Sequence, residues 1–175
     1  MGRLRPSRDF YYLDIAKSVS ERSTCINKHY GAVIVKNDEI ISTGYNGAPR
    51  CRKNCIELGE CYRLKNNIPR GTRYELCRSV HAEQNAIISA SRNEMLGSTL
   101  YLYGWDVVEK RIVRAGNVCT ICRRMIINAG IETIVIADAD LGVPSSHRDY
   151  RAKIIKVADW ISNDESLEQP GITGY

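Results

Sequence analysis

The order of helix and strand signals along the chain predicts an α/β fold in which helices cover a sheet. Two runs rich in β-branched residues, 32–35 and 40–41, flank the turn-prone pair Asn37 and Asp38, which predicts a hairpin. Helix and strand signals then alternate up to residue 137. A chain of 175 residues can bury one core without disulfide bonds, so we expect a single domain over residues 1–161.

The spacing of apolar residues places the other elements around this hairpin. We expect helices over 9–21, 82–90, 121–129 and 152–161, and strands over 99–103 and 131–137. Gly130 is a stop signal for the third of these helices. Residues 162–175 are polar and contain Pro170 and two glycines, so we expect them to form a C-terminal tail.

Charge and cysteine content narrow the function classes. The formal net charge of +5 is modest, and the basic groups at 50–53, 110–114 and 123–124 are separated by ordinary sequence. Such groups suit a small anionic substrate, whereas polynucleotide binding usually shows a more concentrated patch, so polynucleotide is not the expected partner. No apolar run approaches the roughly 20 residues of a membrane span, and the N-terminus lacks a signal-peptide core. We therefore expect a cytoplasmic protein without a membrane partner, whose seven cysteines are reduced and available to bind metal.

Two short motifs together predict a catalytic zinc site: HAE at 81–83 and C-x-x-C at 119–122. A catalytic zinc takes three protein ligands and keeps one position for water, and His81, Cys119 and Cys122 supply those ligands. Glu83 is then left for general acid and base work. H-x-E combined with P-C-x-x-C is the signature of zinc-dependent base deaminases.

The spacing within each motif predicts where the metal lies. Residues two apart on a helix point to nearly opposite sides, so His81 and Glu83 can serve one metal only at the N-terminus of a helix. Cys119 and Cys122 are three apart and share one face of the first turn of the next helix. The positive potential of a helix N-terminus lowers the pKa of thiols and favours thiolate ligands.

Each motif alone has a less specific interpretation. A lone HAE is common in helices, and a lone C-x-x-C is as typical of redox pairs or structural zinc. A structural zinc site is closed by a fourth protein ligand. The conjunction favours catalysis, because each motif opens a predicted helix that is followed by a strand.

Two longer segments, TGYNGAP at 43–49 and CRSVHAEQNAI at 77–87, resemble the deoxycytidylate deaminase family. Cytidine and guanine deaminases share the zinc motifs, but the GYNG loop with a cysteine-rich insertion at about 44–79 is similar to the deoxycytidylate branch. The likeness runs from about residue 22 to residue 137. It implies a three-layer α/β/α cytidine-deaminase fold with a mixed central sheet. It also implies conversion of dCMP to dUMP with release of ammonia. The dUMP formed in this way feeds thymidylate synthesis.

The same resemblance implies partners and substrate contacts. Family members are homo-oligomers, hexamers or dimers, and several respond to dCTP and dTTP. Asn46 matches an asparagine that contacts the nucleotide sugar, and Arg92 matches an arginine near the nucleotide phosphate or a subunit interface. The alternatives are an ordinary Asn-Gly turn and a favourable interaction of Arg92 with a helix C-terminus. Tyr103, at the end of a predicted strand, is a third substrate candidate that could stack on a base or pack in the core.

Two features depart from the family pattern. Val118 stands where a proline would pre-set the first helical turn, although no metal ligand is lost. The segment 104–117 is longer than the usual connection to the C-x-x-C motif. We expect it to reshape the substrate entrance, which leaves the choice among cytosine nucleotides open.

The other five cysteines concentrate beside the insertion, which lacks a core of its own. A second, structural zinc would order this segment. By resemblance Cys25 and Cys55 match ligands of such a site, and Cys61 and Cys77 are further candidates. Spacing does not exclude Cys51. The alternative is that these cysteines are buried without metal, since a free cysteine behaves as a small apolar side chain.

Three functions therefore compete at this point. The first is a zinc hydrolase acting on free dCMP. The second is deamination of another cytosine or nucleobase substrate, including a base in single-stranded nucleic acid. The third is an inactive nucleotide sensor with a structural zinc, which the intact HAE and C-x-x-C motifs disfavour.

Overall fold

The computed structural model describes residues 5–69, 71–113, 118–139 and 150–163. Along the chain they form α1 (Arg8–Ser20), β1 (Lys28–Lys36), β2 (Glu39–Tyr45), α2 (Cys55–Leu58), α3 (Tyr62–Lys65), a 3-10 turn (Tyr74–Leu76), α4 (Ala82–Ile88), α5 (Arg92–Met95), β3 (Thr99–Asp106), β4 (Arg111–Ile112), α6 (Thr120–Ala129), β5 (Thr133–Asp138), β6 (Arg151–Lys156) and α7 (Val157–Ser162). Within these ranges no helix combines the length and the apolar character that crossing a bilayer requires.

The strands of the described residues form one mixed sheet in the order β2-β1-β3-β5-β6, and β4 pairs with β3 outside this path. Every pair is antiparallel except β3 with β5. A parallel pair needs a crossover connection, and α6 lies in the segment that joins these two strands. Because α6 runs back along the sheet, its N-terminus lies near the carboxyl end of β3.

Helices cover both faces of this sheet. Along β3 the side chains alternate, since successive strand residues point to opposite faces. Leu100 and Leu102 pack in a core cluster with residues of α4, α6 and α7, whereas Tyr101 and Tyr103 pack with residues of α1. The three-layer α/β/α arrangement with a mixed sheet is therefore confirmed.

The predicted hairpin is also confirmed, with longer strands than the apolar runs indicated. Asn37 and Asp38 both have positive φ angles, 51° and 66°, as a two-residue hairpin turn of the primed type requires. The Tyr12 hydroxyl donates hydrogen bonds to the backbone oxygen and side chain of Asp38, at 2.8 and 2.9 Å. These bonds fix the turn to α1.

Two helix predictions were wrong in part. Residues 151–156 form β6 instead of helix, because they pair along the whole of β5 and so satisfy the hydrogen-bonding groups on that side of the strand. Only Val157–Ser162 is helical. The helix predicted over 82–90 ends at Ile88, and a separate helix, α5, begins after the N-cap Ser91. Of the predicted tail, residues 164–175 lie outside the described residues.

Gly44 allows α4 to lie directly on β2. A Cβ atom at this position would stand 2.3 Å from the Ala86 nitrogen and 2.4 Å from the Ala82 oxygen. Both atoms belong to the backbone of α4, so neither can move aside without shifting the helix. The Ser42 hydroxyl donates to the Ala86 oxygen at 2.8 Å, and the Asn85 side-chain amide donates to the Tyr45 oxygen at 2.7 Å.

We predict that Gly44→Ala lowers the free energy of unfolding by about 1–3 kcal/mol or more, because the added methyl overlaps helix backbone. Thr43→Ala, at the exposed neighbouring position, should change it by about 0.5 kcal/mol or less. Urea unfolding of both variants measures the difference. Equal stability of the two variants would show that α4 does not approach β2 this closely.

Candidate metal centre and active site

His81 is the N-cap residue of α4, with extended backbone angles. Its backbone nitrogen donates to the Gln84 side chain at 2.9 Å, which is one half of a capping box. The chain enters this position from a short antiparallel bridge between Gly47 and Val80, which joins the two ends of the cysteine-rich insertion. His81 is thus held by α4 on one side and by the GYNG loop on the other.

Cys119 occupies the equivalent N-cap position of α6. Its sulfur accepts a hydrogen bond from the Cys122 backbone nitrogen at 3.5 Å. Cys122 lies in the first turn and is fully buried in the core cluster that α4 and α6 share. Since both helices pack on the same face of the sheet, the two N-termini meet beside the carboxyl end of β3.

The three predicted ligands come together at this point. The His81 Nδ1 atom lies 3.4 Å from the Cys119 sulfur and 3.3 Å from the Cys122 sulfur. Among the described residues this is the one group of three or more His, Cys, Asp or Glu side chains whose donor atoms all lie within 4.8 Å of one another. One imidazole and two thiolates suit zinc, which binds nitrogen and sulfur ligands and keeps one position open in catalytic sites.

Glu83 lies in the first turn of α4, next to this group, and its side chain is buried. Burial raises the pKa of Glu83, and the nearby His81 offsets only part of the rise. A carboxyl group with a raised pKa can both accept and return a proton near neutral pH. Glu83 therefore has the position and the acidity that a proton shuttle needs.

Hydrogen bonding and charge also shift the pKa values of the ligands. A hydrogen bond from the Cys122 thiol, together with the neighbouring His81, lowers the pKa of Cys119 to about 4. Burial lowers the pKa of His81, but its hydrogen bond with Cys119 and the charge of Glu83 outweigh burial and raise it overall. The lowered pKa favours the thiolate form of Cys119, which is the form that binds metal.

A cavity of about 930 Å³ opens over this centre. Its lining comes from the carboxyl end of β3, from the segment 107–113 and from the cysteine-rich insertion. Gly104, Asp106 and Val113 belong to the long segment 104–117 and line the cavity, so this segment forms part of the cavity wall. Residues 114–117 lie outside the described residues.

A buried ion pair forms part of this wall. The Lys28 ammonium group lies 2.8 Å from the Asp106 carboxylate, with side-chain exposures of 18% and 6%. Asp106 also accepts hydrogen bonds from the backbone nitrogens of Val108 and Glu109, both at 3.1 Å. Burial raises the pKa of Asp106, but these bonds and Lys28 outweigh burial and lower it overall. The pair fixes the turn that follows β3.

Asn46 lies at the cavity wall, with its side chain engaged by the protein. Its Oδ1 atom accepts from the Tyr30 backbone nitrogen and the Ser23 hydroxyl, both at 2.7 Å. Its amide nitrogen donates to the Lys28 backbone oxygen at 2.9 Å. The Asn46 side chain therefore joins the segment of Ser23 to the start of β1. One of its amide hydrogens is left for a substrate, and the contact with the nucleotide sugar stays a prediction.

The structure separates the other two substrate candidates from the cavity. Tyr103 packs in the core cluster around α1, where its ring lies 6.0 Å from the ring of Tyr150. It therefore points to the face of the sheet opposite the metal centre. Arg92 opens α5, a helix separate from that of His81, and donates to the Asn128 backbone oxygen at 2.9 Å. It does not line the cavity.

Sequence reasoning missed two residues of the insertion that lie at the site. The Tyr74 ring meets the His81 ring edge-on, with centroids 5.2 Å apart. The Arg63 guanidinium lies 5.2 Å from the centroid of the Tyr74 ring. The insertion has no apolar periodicity, so no local pattern signalled these contacts.

The four candidate ligands of a second zinc do not form a group of donor atoms like that of His81, Cys119 and Cys122 in the described part of the chain. Burial raises the pKa of Cys55, and the charges of Cys25, Cys61 and Cys77 raise it further. The Cys25 sulfur accepts from the backbone nitrogens of Asn27 and Lys28, at 3.4 and 3.5 Å. Cys51 is exposed.

Val118, the departure from the family motif, is buried and lines the cavity. Its backbone oxygen accepts a hydrogen bond from the buried Arg123 side chain at 3.0 Å. The Arg123 guanidinium lies 4.9 Å from the centroid of the Trp160 ring. These contacts stabilise the start of α6, where a proline would have stabilised it by its own rigidity.

A family model described as the cytidine and deoxycytidylate deaminase zinc-binding region matches residues 6–138. The chain belongs to this family. Deoxycytidylate deaminase of Schizosaccharomyces pombe is 40% identical over 102 residues, which are 58% of this chain and 31% of the yeast protein. Deoxycytidylate deaminase of Mycobacterium phage D29 is 34% identical over 135 residues, which are 75% of this chain and 94% of the phage protein. The chain thus spans under a third of the yeast relative and nearly all of the phage relative.

A solved structure shares the fold of this family member. The dCMP deaminase of cyanophage S-TIM5, in complex with dCMP and dUMP, superposes with a TM-score of 0.53 and 25% sequence identity. The match covers 77% of this chain and 83% of the phage chain. The cytidine-deaminase fold that the sequence predicted is thereby confirmed.

We predict that Cys119→Ser loses the metal of this centre, because a neutral hydroxyl replaces a thiolate. Glu83→Gln should keep it, since Glu83 is not needed as a ligand. Cys51→Ser is the matched control, being an exposed cysteine outside the group. Zinc content measured on the purified proteins distinguishes them, and full zinc retention by Cys119→Ser would contradict the ligand assignment.

Proposed function

We propose that this protein is a zinc-dependent deaminase that hydrolyses dCMP to dUMP and ammonia. The observation that carries the proposal is the meeting of His81, Cys119 and Cys122 at two helix N-termini, with the buried Glu83 beside them. The two relatives described above are named deoxycytidylate deaminases, and the cyanophage enzyme was solved with dCMP and dUMP. Both facts support a cytosine nucleotide as the substrate.

The protein groups divide the chemistry between them. His81, Cys119 and Cys122 would hold the metal, which when bound lowers the pKa of a water ligand and acts as a Lewis acid. Glu83 accepts one proton of the water whose hydroxyl adds to C4 of the cytosine ring, and passes that proton to N3. It then moves the proton of the C4 hydroxyl to the amino group, so that the C4–N bond breaks, ammonia leaves and C4 becomes a carbonyl. The raised pKa of Glu83 suits both transfers.

A second zinc in the insertion is part of this proposal. Cys25, Cys55, Cys61 and Cys77 come from separate segments, and the charges of neighbouring cysteines help to raise the pKa values of Cys55 and Cys77. The backbone nitrogens of Asn27 and Lys28 donate to the Cys25 sulfur, which stays a proposed ligand. Four thiolates satisfy a closed structural zinc site, and binding would draw the sulfurs together.

The remaining proposals concern location, assembly and effectors. The seven cysteines are free thiols, which suits the reducing cytoplasm. We propose a homo-oligomer that responds to dCTP or dTTP. Arg92 is exposed and lies away from the cavity, so a role at a subunit interface or an effector site fits it better than the substrate phosphate.

We predict that the zinc-loaded protein releases ammonia from dCMP faster than from CMP, deoxycytidine or guanine. Glu83→Gln should lower turnover by roughly 10²- to 10⁴-fold or more while zinc stays bound, because it removes the general acid and base. Glu39→Gln is the control, since Glu39 is exposed at the far end of β2. Near-normal turnover of zinc-replete Glu83→Gln would refute the proton shuttle, and preference for another base would refute the substrate.

We also predict that each chain binds a second zinc ion. The Cys55→Ser variant should lose this ion and keep the zinc bound by His81, Cys119 and Cys122. Elemental analysis with and without this substitution measures it. In case the variant does not fold, alkylation of the native protein gives an independent result. Full alkylation of Cys25, Cys55, Cys61 and Cys77, together with a single zinc per chain, would exclude the second site.

A further inference from the structure

Within the described ranges, three lysine or arginine side chains line the cavity: Lys28, Arg63 and Arg111. Two of them are neutralised within the protein, because Lys28 pairs with Asp106, and Arg111 pairs with Glu109. Arg63 differs, since no carboxylate of the described part of the chain forms an ion pair with it. Its positive charge is therefore available to an anion that enters the cavity.

The Arg63 guanidinium is held in place without being neutralised. One terminal nitrogen donates to the Arg73 backbone oxygen at 2.6 Å, and the other donates to the Pro69 backbone oxygen at 2.8 Å. The group also lies 5.2 Å from the centroid of the Tyr74 ring. A guanidinium has five N–H donors, so these two bonds leave three for a ligand.

Two successive contacts connect this group to the metal centre. Arg63 lies against Tyr74, and the Tyr74 ring lies edge-on against the metal-ligand candidate His81, each at 5.2 Å. A nucleotide whose base reaches His81 holds its 5′-phosphate on the far side of the sugar. The cavity extends from His81 to Arg63, so both ends of such a molecule have a wall residue to contact.

We propose that Arg63 binds the 5′-phosphate of the substrate and thereby makes the enzyme prefer a nucleotide over a nucleoside. This inference rests on the proposed dCMP deamination and names the residue that recognises the phosphate. The phosphate is a dianion, and a guanidinium can offer it two parallel donors, where a lysine offers a point charge. Because the guanidinium is already fixed, little side-chain entropy is lost when the phosphate binds.

A purely structural role for Arg63 predicts a different result. If its bonds to Arg73 and Pro69 only shape the insertion, removing them would disturb the wall beside His81 for every substrate. The loss would then be equal for dCMP and deoxycytidine. The ratio between these two ligands therefore distinguishes phosphate recognition from a structural role.

The experiment measures the dissociation constants of dCMP and deoxycytidine, and kcat/KM for both, with the zinc-loaded protein. The variants are Arg63→Gln, Arg63→Lys and the control Lys65→Gln, which removes an exposed cation from the same helix. We expect Arg63→Gln to weaken dCMP binding about 10- to 100-fold, the range of a lost hydrogen bond to a charged group. Deoxycytidine binding should change less than about 2-fold, and Lys65→Gln should match the wild type.

Arg63→Lys should fall between the wild type and Arg63→Gln, because it keeps the charge and loses the paired donors. Equal losses for both ligands, or no loss for dCMP, would overturn the inference. If the wild type binds dCMP but does not deaminate it, the proposed function fails. The dissociation constants then still decide the role of Arg63.

Discussion

The metal centre depends on two helices whose N-termini meet beside the end of one strand. His81 caps α4 and Cys119 caps α6, and their donor atoms lie 3.4 Å apart. The parallel pairing of β3 with β5 requires a crossover, which sets the direction of α6, and Gly44 lets α4 lie directly on β2. The positive ends of both helices then favour thiolate at Cys119, because partial positive charge stabilises an anion.

The cysteine-rich insertion is a wall of the active site. Its two ends are joined by the bridge between Gly47 and Val80, and Tyr74 reaches the imidazole of His81. An element with three short helical segments and few buried apolar side chains needs another source of order. The proposed second zinc would supply that order, and by ordering the insertion it would also place Tyr74 and Arg63.

Local patterns predicted the hairpin, the layered fold and the metal ligands, because turn chemistry and motif spacing act over a few residues. Positions set by distant partners were harder to predict. The helical expectation for residues 152–161 failed where pairing with β5 decided the structure. The sequence left Tyr103 open between stacking on a base and packing in the core; the structure packs it in the core, and its neighbours Leu102 and Gly104 line the cavity instead. Arg63 reaches the site only through the fold of the insertion.

The most direct test is anomalous X-ray scattering from crystals of the zinc-loaded protein. The account predicts a zinc peak bound by His81, Cys119 and Cys122, with zinc–nitrogen and zinc–sulfur distances of about 2.0 and 2.3 Å. The fourth position should hold a water molecule within reach of Glu83. The absence of a zinc peak at these three residues would contradict a catalytic centre at the two helix N-termini. A fourth zinc ligand supplied by a protein side chain would contradict it as well.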